Sequence, residues 1–496
     1  AAVRQAWPAF LGGLETLAGA AGVAGRRIVV HNPLPWDRGG SVGVPWPWPV
    51  PSSVRTPGGP RTPVEYRGGG LFFEAPRVPA MGYVTYVPDP VPAEPETLSR
   101  TDAETGVIES PYFRATLDRR RGAVASLIDK RTGRELADQA APFGLGQLLH
   151  ERFCRSQTEG FREAYTRGGF SWTDEFGKPA MPVDEAAPYE ALSPTDCTLE
   201  FAQHIGSVEA TLRSESGHGL PYVVRLRVSL PLHRPSVELL LTLEGKPADS
   251  WPEAGWMCLP LNVDRPQFRL GRVGSIVDPA RDLVPGSNHH LFWLQTGLTV
   301  TDPSGRGVGL CPIDHPLVAL GEPGCYRYDR EYTPARPYVF VNLFNNQWST
   351  NFRLWNEGTW RSGITLWAVD GHDPDSLVTP ALEALLSLAA ALAEGPPGPL
   401  PPERRGLELS LPGVRVAAFG PNPDGEGTLL RLWELAGRGG PCRVRLPEGS
   451  RTRVVQPVDL RGRPQGEPIR ARGGQFSVQI RPFAPVSLLL DGQTQH

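Results

Sequence analysis

The sequence of 496 residues has little lysine, little cysteine and few long hydrophobic runs. Of its 50 basic residues only those at positions 130, 178 and 246 are lysines, so arginine supplies almost all of the positive charge. The six cysteines are scattered without a C-x-x-C pair, which excludes a zinc cluster of the usual spacing. They are expected to be buried free thiols, which favours a reducing, cytoplasmic compartment. No run of eighteen apolar residues is present, so the sequence predicts no membrane span.

Several function classes lack their motifs here. The formal net charge of −3 gives no reason to expect a nucleic-acid partner. Neither a G-x-x-x-x-G-K-[ST] loop nor a G-x-G-x-x-G loop occurs, so no phosphate-binding loop is predicted. The G-x-S-x-G nucleophile elbow is missing as well, which argues against a serine hydrolase of that type.

Turn-forming residues, by contrast, are abundant. The chain holds 56 glycines and 54 prolines, and with few helical patterns this composition is typical of an all-β protein with many turns. Stretches of alternating residues at a spacing of about 8 to 14 predict antiparallel strands in stacked sheets. These predicted strands are Cys197–Gln203, Val208–Glu215, Tyr222–Pro231 and Ser236–Glu244.

Two stretches show helical periodicity. The first is residues 1–24, where Val3, Trp7, Phe10, Leu11, Leu14 and Leu17 form an apolar stripe. Such a stripe must be buried, either on an upstream helical domain that would make this helix a remnant of a longer chain, or on the β-domains of this chain. The second stretch runs from Ser376 to Ala393 and is followed by a proline-rich linker.

The chain is too long for one core, and its composition changes predict five segments. They are a helix at 1–25, a small β-sandwich at 26–95, a large β-domain at 106–370, a helix with a proline-rich linker at 371–405, and a C-terminal β-sandwich at 406–492.

One segment of the large domain, from Tyr338 to Trp367, combines amides with aromatic rings. Amides donate and accept hydrogen bonds at once, which suits sugar hydroxyls, and aromatic rings cover the apolar face of a sugar. A cleft wall for carbohydrate is therefore one hypothesis, with Asn345, Asn346, Trp348 and Asn351 as its candidate residues. The alternative is structural, with amides holding turns and rings filling the core.

A second candidate group contains His289, His290, Asp314 and His315. Adjacent histidines on a strand point to opposite faces, so a shared metal is not predicted for His289 and His290. We instead expect one of them to face a cleft near Asp314 or His315 and to bind sugar by hydrogen bonds, or else all four to be structural.

Several motifs resemble one known family. Asn345–Phe352 reads NNQWSTNF and is similar to a segment of the bacterial family 38 glycoside hydrolases, the α-mannosidase family. The resemblance extends in order to Asn-Pro-Leu-Pro-Trp at 32–36, Val-Pro-Ala-Met-Gly-Tyr at 78–83, and Leu-Arg-Leu-Trp-Glu-Leu-Ala-Gly at 430–437. The family has Tyr where Trp433 stands and usually Glu where Ala484 stands. Asp-Lys-Arg-Thr-Gly-Arg-Glu at 129–135 resembles the opening of large β-supersandwich domains of the galactose-mutarotase type.

The resemblance implies a mainly β fold with a small β-sandwich, a large galactose-mutarotase-like β-supersandwich and a C-terminal β-sandwich, plus an N-terminal helix and one linker helix. Family 38 enzymes are zinc-dependent retaining α-mannosidases whose nucleophile and zinc ligands lie mainly in an N-terminal catalytic domain. None of those motifs occurs here, so we expect no metal site in this chain and zinc only in a missing N-terminal catalytic domain.

The sequence thus favours the non-catalytic β-half of a glycoside hydrolase, with carbohydrate and the missing domain as partners. Two alternatives stay open: a stand-alone mutarotase-like or lyase-like carbohydrate enzyme, and a carbohydrate-binding module.

Overall fold

The computed structural model describes residues 2–94, 98–166, 188–348 and 352–490, with side chains described from residue 8 onward. The prediction of a mainly β protein with an N-terminal helix and a helix before the last β-region is confirmed. The chain divides into two compact units: unit 1 contains residues 1–97, 204–206 and 378–496, and unit 2 contains residues 98–203 and 207–377.

The first part of unit 1, as far as the structure describes it, contains one helix and seven strands. These are α1 (Ala2–Ala20), β1 (Arg27–His31), β2 (Arg38–Pro45), β3 (Ser53–Arg55), β4 (Arg61–Pro63), β5 (Glu65–Arg67), β6 (Gly70–Val78) and β7 (Tyr83–Asp89). Strands β2, β6 and β5 form one small sheet, while β1, β7, β3 and β4 belong to a larger one. Buried residues from both sheets share one core, which includes Val30, Val44, Phe73 and Tyr86.

The described residues of unit 2 form twenty strands and the helix α2 (Arg155–Thr166). The strands are β8 (Arg100–Asp102), β9 (Val107–Glu109), β10 (Phe113–Asp118), β11 (Ala123–Asp129), β12 (Arg134–Glu135), β13 (Leu148–Arg152), β14 (Glu190–Leu192), β15 (Thr198–Gln203), β16 (Ser207–Ser214), β17 (Val223–Pro231), β18 (Val237–Lys246), β19 (Glu253–Pro260), β20 (Gln267–Arg272), β21 (Ser275–Val277), β22 (Phe292–Trp293), β23 (Leu298–Thr301), β24 (Gly307–Pro312), β25 (Leu317–Leu320), β26 (Tyr338–Asn345) and β27 (Gly358–Val369).

Two large antiparallel sheets dominate unit 2. One has six strands in the order β14-β13-β19-β26-β25-β22, and the other has nine in the order β15-β16-β17-β18-β27-β24-β23-β20-β21. They bury a common apolar core, to which Met257 and Val341 contribute from the six-stranded sheet and Leu226 and Leu241 from the nine-stranded sheet. A third sheet, β12-β11-β10-β9-β8, adds Phe113 to the same core. This is the two-layered large β-domain that the sequence predicts.

The chain leaves unit 2 through α3 (Asp375–Leu385), and its described residues from there to 490 complete unit 1 with ten strands. They are β28 (Ala389–Ala393), β29 (Glu403–Arg404), β30 (Glu408–Leu409), β31 (Val414–Pro421), β32 (Thr428–Glu434), β33 (Gly440–Arg445), β34 (Val454–Val458), β35 (Ile469–Arg470), β36 (Gln475–Ile480) and β37 (Pro485–Leu490). Sheets β30-β33-β36 and β31-β32-β37-β34-β35 share a core that includes Leu430, Val444 and Leu488.

The second predicted helix is too long. It extends to Ala393 in the prediction, whereas α3 ends at Leu385 and Ala389–Ala393 is the strand β28, paired with β1. Leu392 packs into the core of the small sheets and Ala391 packs beside α1, so successive residues face opposite sides. Alanine favours a helix intrinsically, but pairing with the edge of β1 overrides this weak preference.

The C-terminal end of α1 is buried within unit 1. Ala18 packs against Val29 of β1, and the buried Arg27 donates hydrogen bonds to the carbonyls of Ala18 and Gly19 at 2.8 and 2.9 Å. These carbonyls have no partner inside the helix, and a cation there also suits the helix dipole. Of the two partners predicted for this helix, the β-region of this chain therefore binds its last turn.

Candidate functional site

The two faces of the six-stranded sheet carry different chemistry. Successive residues of a strand point to opposite faces, so β13 sends His150 to the side of the nine-stranded sheet and Glu151 to the other side. The register of β13 with β19 places Glu151 beside Ala254 and His150 beside Gly255. Both faces thus receive a buried polar group from adjacent positions of a single strand.

A buried ionic network occupies the face toward the nine-stranded sheet. Glu253 accepts a hydrogen bond from the Lys246 Nζ at 2.7 Å, and its second oxygen lies 2.9 Å from His150 Nε2. The Tyr222 hydroxyl lies 3.0 Å from His150 Nδ1. Both contacts of His150 are satisfied when Nε2 donates to Glu253 and Nδ1 accepts from the Tyr222 hydroxyl. Because the Lys246 ammonium pairs with Glu253, the charge of Glu253 is compensated inside the core. Lys246 also stands 4.7 Å from the centroid of the Phe344 ring.

Asn346 connects this network to the loop after β26. Its Oδ1 accepts the backbone N–H of Glu253 at 2.8 Å, and its Nδ2 donates to the carbonyl of Leu354 at 2.9 Å. The Tyr326 hydroxyl donates to the Asn346 carbonyl at 3.3 Å. With 1 % of its surface exposed, Asn346 positions the loop by binding backbone groups on both sides.

The other residues of the predicted amide cluster have separate positions. Asn345 donates from Nδ2 to the buried Asn342 Oδ1 at 2.8 Å, and Asn342 binds the carbonyl of Gly255 at the register shift between β19 and β26. Asn351 lies outside the described residues. Trp348 packs against aromatic rings of α2. Whether Asn345, Asn346 and Trp348 border a sugar cleft stays a prediction.

The opposite side of the six-stranded sheet bears a group of aromatic rings that we call the aromatic face. Its members are Phe153, Phe161, Tyr165, Tyr326, Tyr328 and Trp348. Phe153 follows β13, and Phe161 and Tyr165 are four residues apart on α2 and therefore share one side of that helix. Tyr326 lies 4.7 Å from Phe153 and 5.9 Å from Phe161 between ring centroids, and Tyr165 lies 5.0 Å from Trp348.

Tyr326 lies at the centre of the aromatic face. Its φ of 53° is in the left-handed region, which is uncommon for a bulky residue and costs energy. Contacts with Phe153 and Phe161 and the hydrogen bond to Asn346 hold it there. These contacts hold the segment that follows β25 against the aromatic face.

Glu151 is the buried acid of the aromatic face. Its Oε1 accepts a hydrogen bond from the Tyr189 hydroxyl and its Oε2 one from the Trp256 Nε1, both at 2.7 Å. Among the described residues, no cation lies within ion-pair distance of Glu151. Burial raises the pKa of the Glu151 carboxyl, against the opposing effect of hydrogen bonds from Tyr189 and Trp256 and of the more distant charge of Arg327. A buried carboxyl with this perturbation is a candidate for a functional group.

The structure places His289 and His290 before β22 and not on a strand, so the prediction that they lie on a strand is wrong. His289 Nδ1 lies 3.1 Å from the carbonyl oxygen of Tyr332, and His290 stacks on the Tyr332 ring at 4.4 Å. The buried His290 Nδ1 has no hydrogen-bond partner in the described part of the chain. Burial lowers the pKa of His290, and the charges that act on it include those of Glu322 and Arg327, which also act on Glu151.

Asp314 and His315 belong to a different region, after β24 of the nine-stranded sheet. The exposed Asp314 accepts the backbone N–H of Gly363 at 3.0 Å. His315 lies 6.3 Å from the Trp360 ring, and burial lowers the pKa of His315 while Asp314 opposes this effect. Asp314 and His315 therefore lie beside β27, whereas His289 and His290 lie beside Tyr332.

Metal ligands do not cluster in the described ranges, where no group of three or more His, Cys, Asp or Glu side chains is placed to hold a metal ion. Across the same ranges, none of the helices is long and apolar enough to span a bilayer.

Sequence reasoning missed Glu151, Glu253 and Lys246. Lysine occurs at only three positions in this chain, so Lys246 at the end of an apolar strand was a usable signal. His150 and Glu151 likewise follow directly on two leucines in a strand of near-complete burial. Their partners lie between 38 and 105 residues away, and no local pattern indicates which residues these are.

Comparison with solved structures identifies the fold. The chain superposes on an α-mannosidase from Enterococcus faecalis V583 with a TM-score of 0.67 and 11% sequence identity, over 96% of this chain and 57% of that one. It superposes on a glycosyl hydrolase family 38 protein from Enterococcus faecalis with a TM-score of 0.66 and 11% identity, over 94% and 58% of the two chains. The match therefore covers nearly all of this chain but only a little over half of the length of each of these structures. No protein-family model and no curated protein matches the sequence.

Proposed function

We propose that this chain is the β-half of an α-mannosidase-like glycoside hydrolase and that it shapes a carbohydrate-binding cleft without performing the hydrolysis itself. The observation that supports this proposal is the superposition of 96% of the chain on 57% of an α-mannosidase. The ordered resemblance of its motifs to family 38 points the same way. In this proposal the remaining part of the protein is an N-terminal catalytic domain that holds zinc and the nucleophile.

Retaining hydrolysis of a glycoside needs a nucleophilic carboxylate and an acid about 5–5.5 Å apart. Glu151 and Glu253 are both buried, but they face opposite sides of the sheet, and Glu253 is bound by Lys246 and His150. This arrangement suits a supporting role better than a nucleophile and acid acting on one substrate.

The test is an assay of the isolated chain on an aryl α-mannoside with added zinc. We expect no release of the aryl group above the rate of a buffer blank, and restoration of activity when the complementary catalytic domain is supplied. Turnover by the isolated chain would refute the non-catalytic role.

A second candidate is a stand-alone mutarotase-like enzyme, which the Glu151–Tyr189 pair favours. A buried carboxyl with a raised pKa and a phenol at 2.7 Å are groups that transfer protons in sugar chemistry. Polarimetry of freshly dissolved aldoses distinguishes the candidates: acceleration of mutarotation that disappears in Glu151→Gln supports the enzyme. Binding on a glycan array without mutarotation or hydrolysis supports a carbohydrate-binding module, for which the exposed Phe352 and Trp355 are candidate platforms.

We further propose a reducing compartment such as the cytoplasm. All six cysteines lie in the described ranges without a disulfide among them, and five of them are buried. Burial raises the pKa of Cys197 to about 11 and that of Cys311 to about 12, so these thiols are poor nucleophiles at neutral pH.

A further inference from the structure

We infer that Phe352 and Trp355, on the loop between β26 and β27, bind a neutral sugar by packing their exposed rings on its apolar face. We call residues 352–357 the exposed loop; all six are described and belong to unit 2. The inference rests on the proposed function and deepens it, because it names the side chains with which this chain holds carbohydrate.

The first argument is the exposure of the two rings. Phe352 is 66 % exposed, the largest exposed fraction of any aromatic residue whose side chain the structure describes, and Trp355 is 41 % exposed. Single exposed apolar residues are common on protein surfaces, but two large rings within four positions concentrate apolar area at one place, as binding surfaces do. A ligand reaches both rings from solvent, whereas Trp348 packs against rings of α2.

The second argument is that hydrogen bonds hold the exposed loop in place. Asn346, which is 1 % exposed, donates from Nδ2 to the carbonyl of Leu354 at 2.9 Å. Asn356 donates from Nδ2 to the carbonyl of Asn345 at 3.3 Å. These two bonds secure the residues immediately before and after Trp355. Because its backbone is already fixed, the loop loses less conformational freedom when a ligand binds.

The third argument is the charge of the exposed loop, which favours a neutral ligand. Arg353 forms an ion pair with Glu357, four residues later, so the cation and the anion of the loop neutralise each other. An anionic or cationic ligand has to compete with this pair. The two side chains are 64% and 39% exposed, so their polar atoms lie at the surface beside the rings.

This combination of groups suits a sugar. A sugar presents C–H groups on its face, which pack on aromatic rings, and hydroxyls at its edge, which donate to a carboxylate and accept from a guanidinium. Aromatic rings also attract cations, so a quaternary ammonium ion is the competing ligand, and the experiment includes it.

The experiment is a ligand-observed NMR titration of the whole chain with methyl α-mannoside, in the wild type and in Phe352→Ala and Trp355→Ala. We expect binding by the wild type, an affinity about threefold to tenfold lower in each variant, as the loss of one ring contact predicts, and no measurable binding when both rings are removed. The matched control is Trp293→Ala, which removes a 45 % exposed tryptophan from β22 of the same unit. It is expected to bind like the wild type.

Four results would overturn the inference: no binding by the wild type, binding that neither ring variant weakens, an equal loss in Trp293→Ala, and binding of tetramethylammonium by the two rings in place of the sugar. The substituted side chains are exposed, so we expect the variants to fold, and a thermal melt of each checks this. The turnover assay on an aryl α-mannoside is independent of this titration. Failure of the sugar site and failure of the non-catalytic role are therefore distinguishable.

Discussion

Glu253 and Glu151 are buried carboxyls on neighbouring strands of the same sheet, and they differ in what surrounds them. Glu253 faces the nine-stranded sheet and is bound by Lys246 at 2.7 Å and His150 at 2.9 Å. Glu151 faces the aromatic side and is bound by the neutral Tyr189 and Trp256. The difference separates two environments of a buried carboxyl: the ion pair of Glu253 lies in the core between the two large sheets, while Glu151 has hydrogen bonds from neutral donors alone.

The largest effect is expected from breaking the compensated network. Lys246→Met keeps most of the side-chain volume but leaves Glu253 without its cation, so the free energy of unfolding falls by about 3–5 kcal/mol. Denaturant unfolding measures this change. The matched control is Arg225→Met, which breaks the ion pair between Arg225 and Glu244 on the paired strands β17 and β18. Because these side chains are 41% and 34% exposed, the free energy of unfolding falls by about 1 kcal/mol or less. Equal losses in the two variants would contradict the structural role of the network.

A smaller loss is expected when the loop is detached from this network. Asn346→Ala leaves the buried N–H of Glu253 and the carbonyl of Leu354 without their partner, which costs about 2 kcal/mol. Asn345→Ala is the control and is expected to cost less, since Asn345 is only half-buried and its side chain binds one backbone group, the N–H of Gln347 at 3.2 Å, besides the Asn342 side chain. If the free energy of unfolding of Asn346→Ala equalled or exceeded that of Asn345→Ala, the role of Asn346 in anchoring the loop would be excluded.

The histidine near the aromatic side gives a pH-dependent test. The pKa of His290 is lowered by burial, with Glu322 and Asp329 opposing and Arg327 and His289 reinforcing this effect. A histidine in the unfolded chain has a pKa of about 6.5, so below this pH His290 binds a proton in the unfolded chain that it does not bind in the folded protein. Stability from this group is therefore full above pH 6.5 and falls as the pH drops below it, by at most about 1.4 kcal/mol per pH unit. An NMR titration of the folded protein with a His290 midpoint above 6.5 would reverse the sign.

The smallest stability change is expected at Glu151. Glu151→Gln keeps the shape, and its amide can accept from Trp256 and donate to the Tyr189 hydroxyl, so the free energy of unfolding changes by under about 1 kcal/mol. Glu253→Gln, its counterpart on the other face, loses several times as much. Comparable losses in the two variants, measured by denaturant unfolding, would remove the distinction between the faces.

The strands were predictable from the sequence because alternation is a local pattern. The strand predicted at Cys197–Gln203 is β15, and the strand predicted at Tyr222–Pro231 is β17; each observed strand begins one residue later than predicted. The prediction failed where pairing with a distant strand overrode a local helix preference. Ala389–Ala393 reads as a helix until β1 is available to pair with it.

The candidate site was less predictable. His290 was identified as a candidate for a cleft, but its stacking partner Tyr332 was not. Glu151 lies 38 residues from Tyr189 and 105 from Trp256. Its role as a buried acid exists only after β13 and β19 have paired, because that pairing decides which side of the sheet each polar group faces.

Denaturant unfolding of Glu253→Gln beside Glu151→Gln tests the distinction between the two faces most directly. The account predicts that the free energy of unfolding falls several times as much in Glu253→Gln as in Glu151→Gln. Equal falls in the two variants would contradict it.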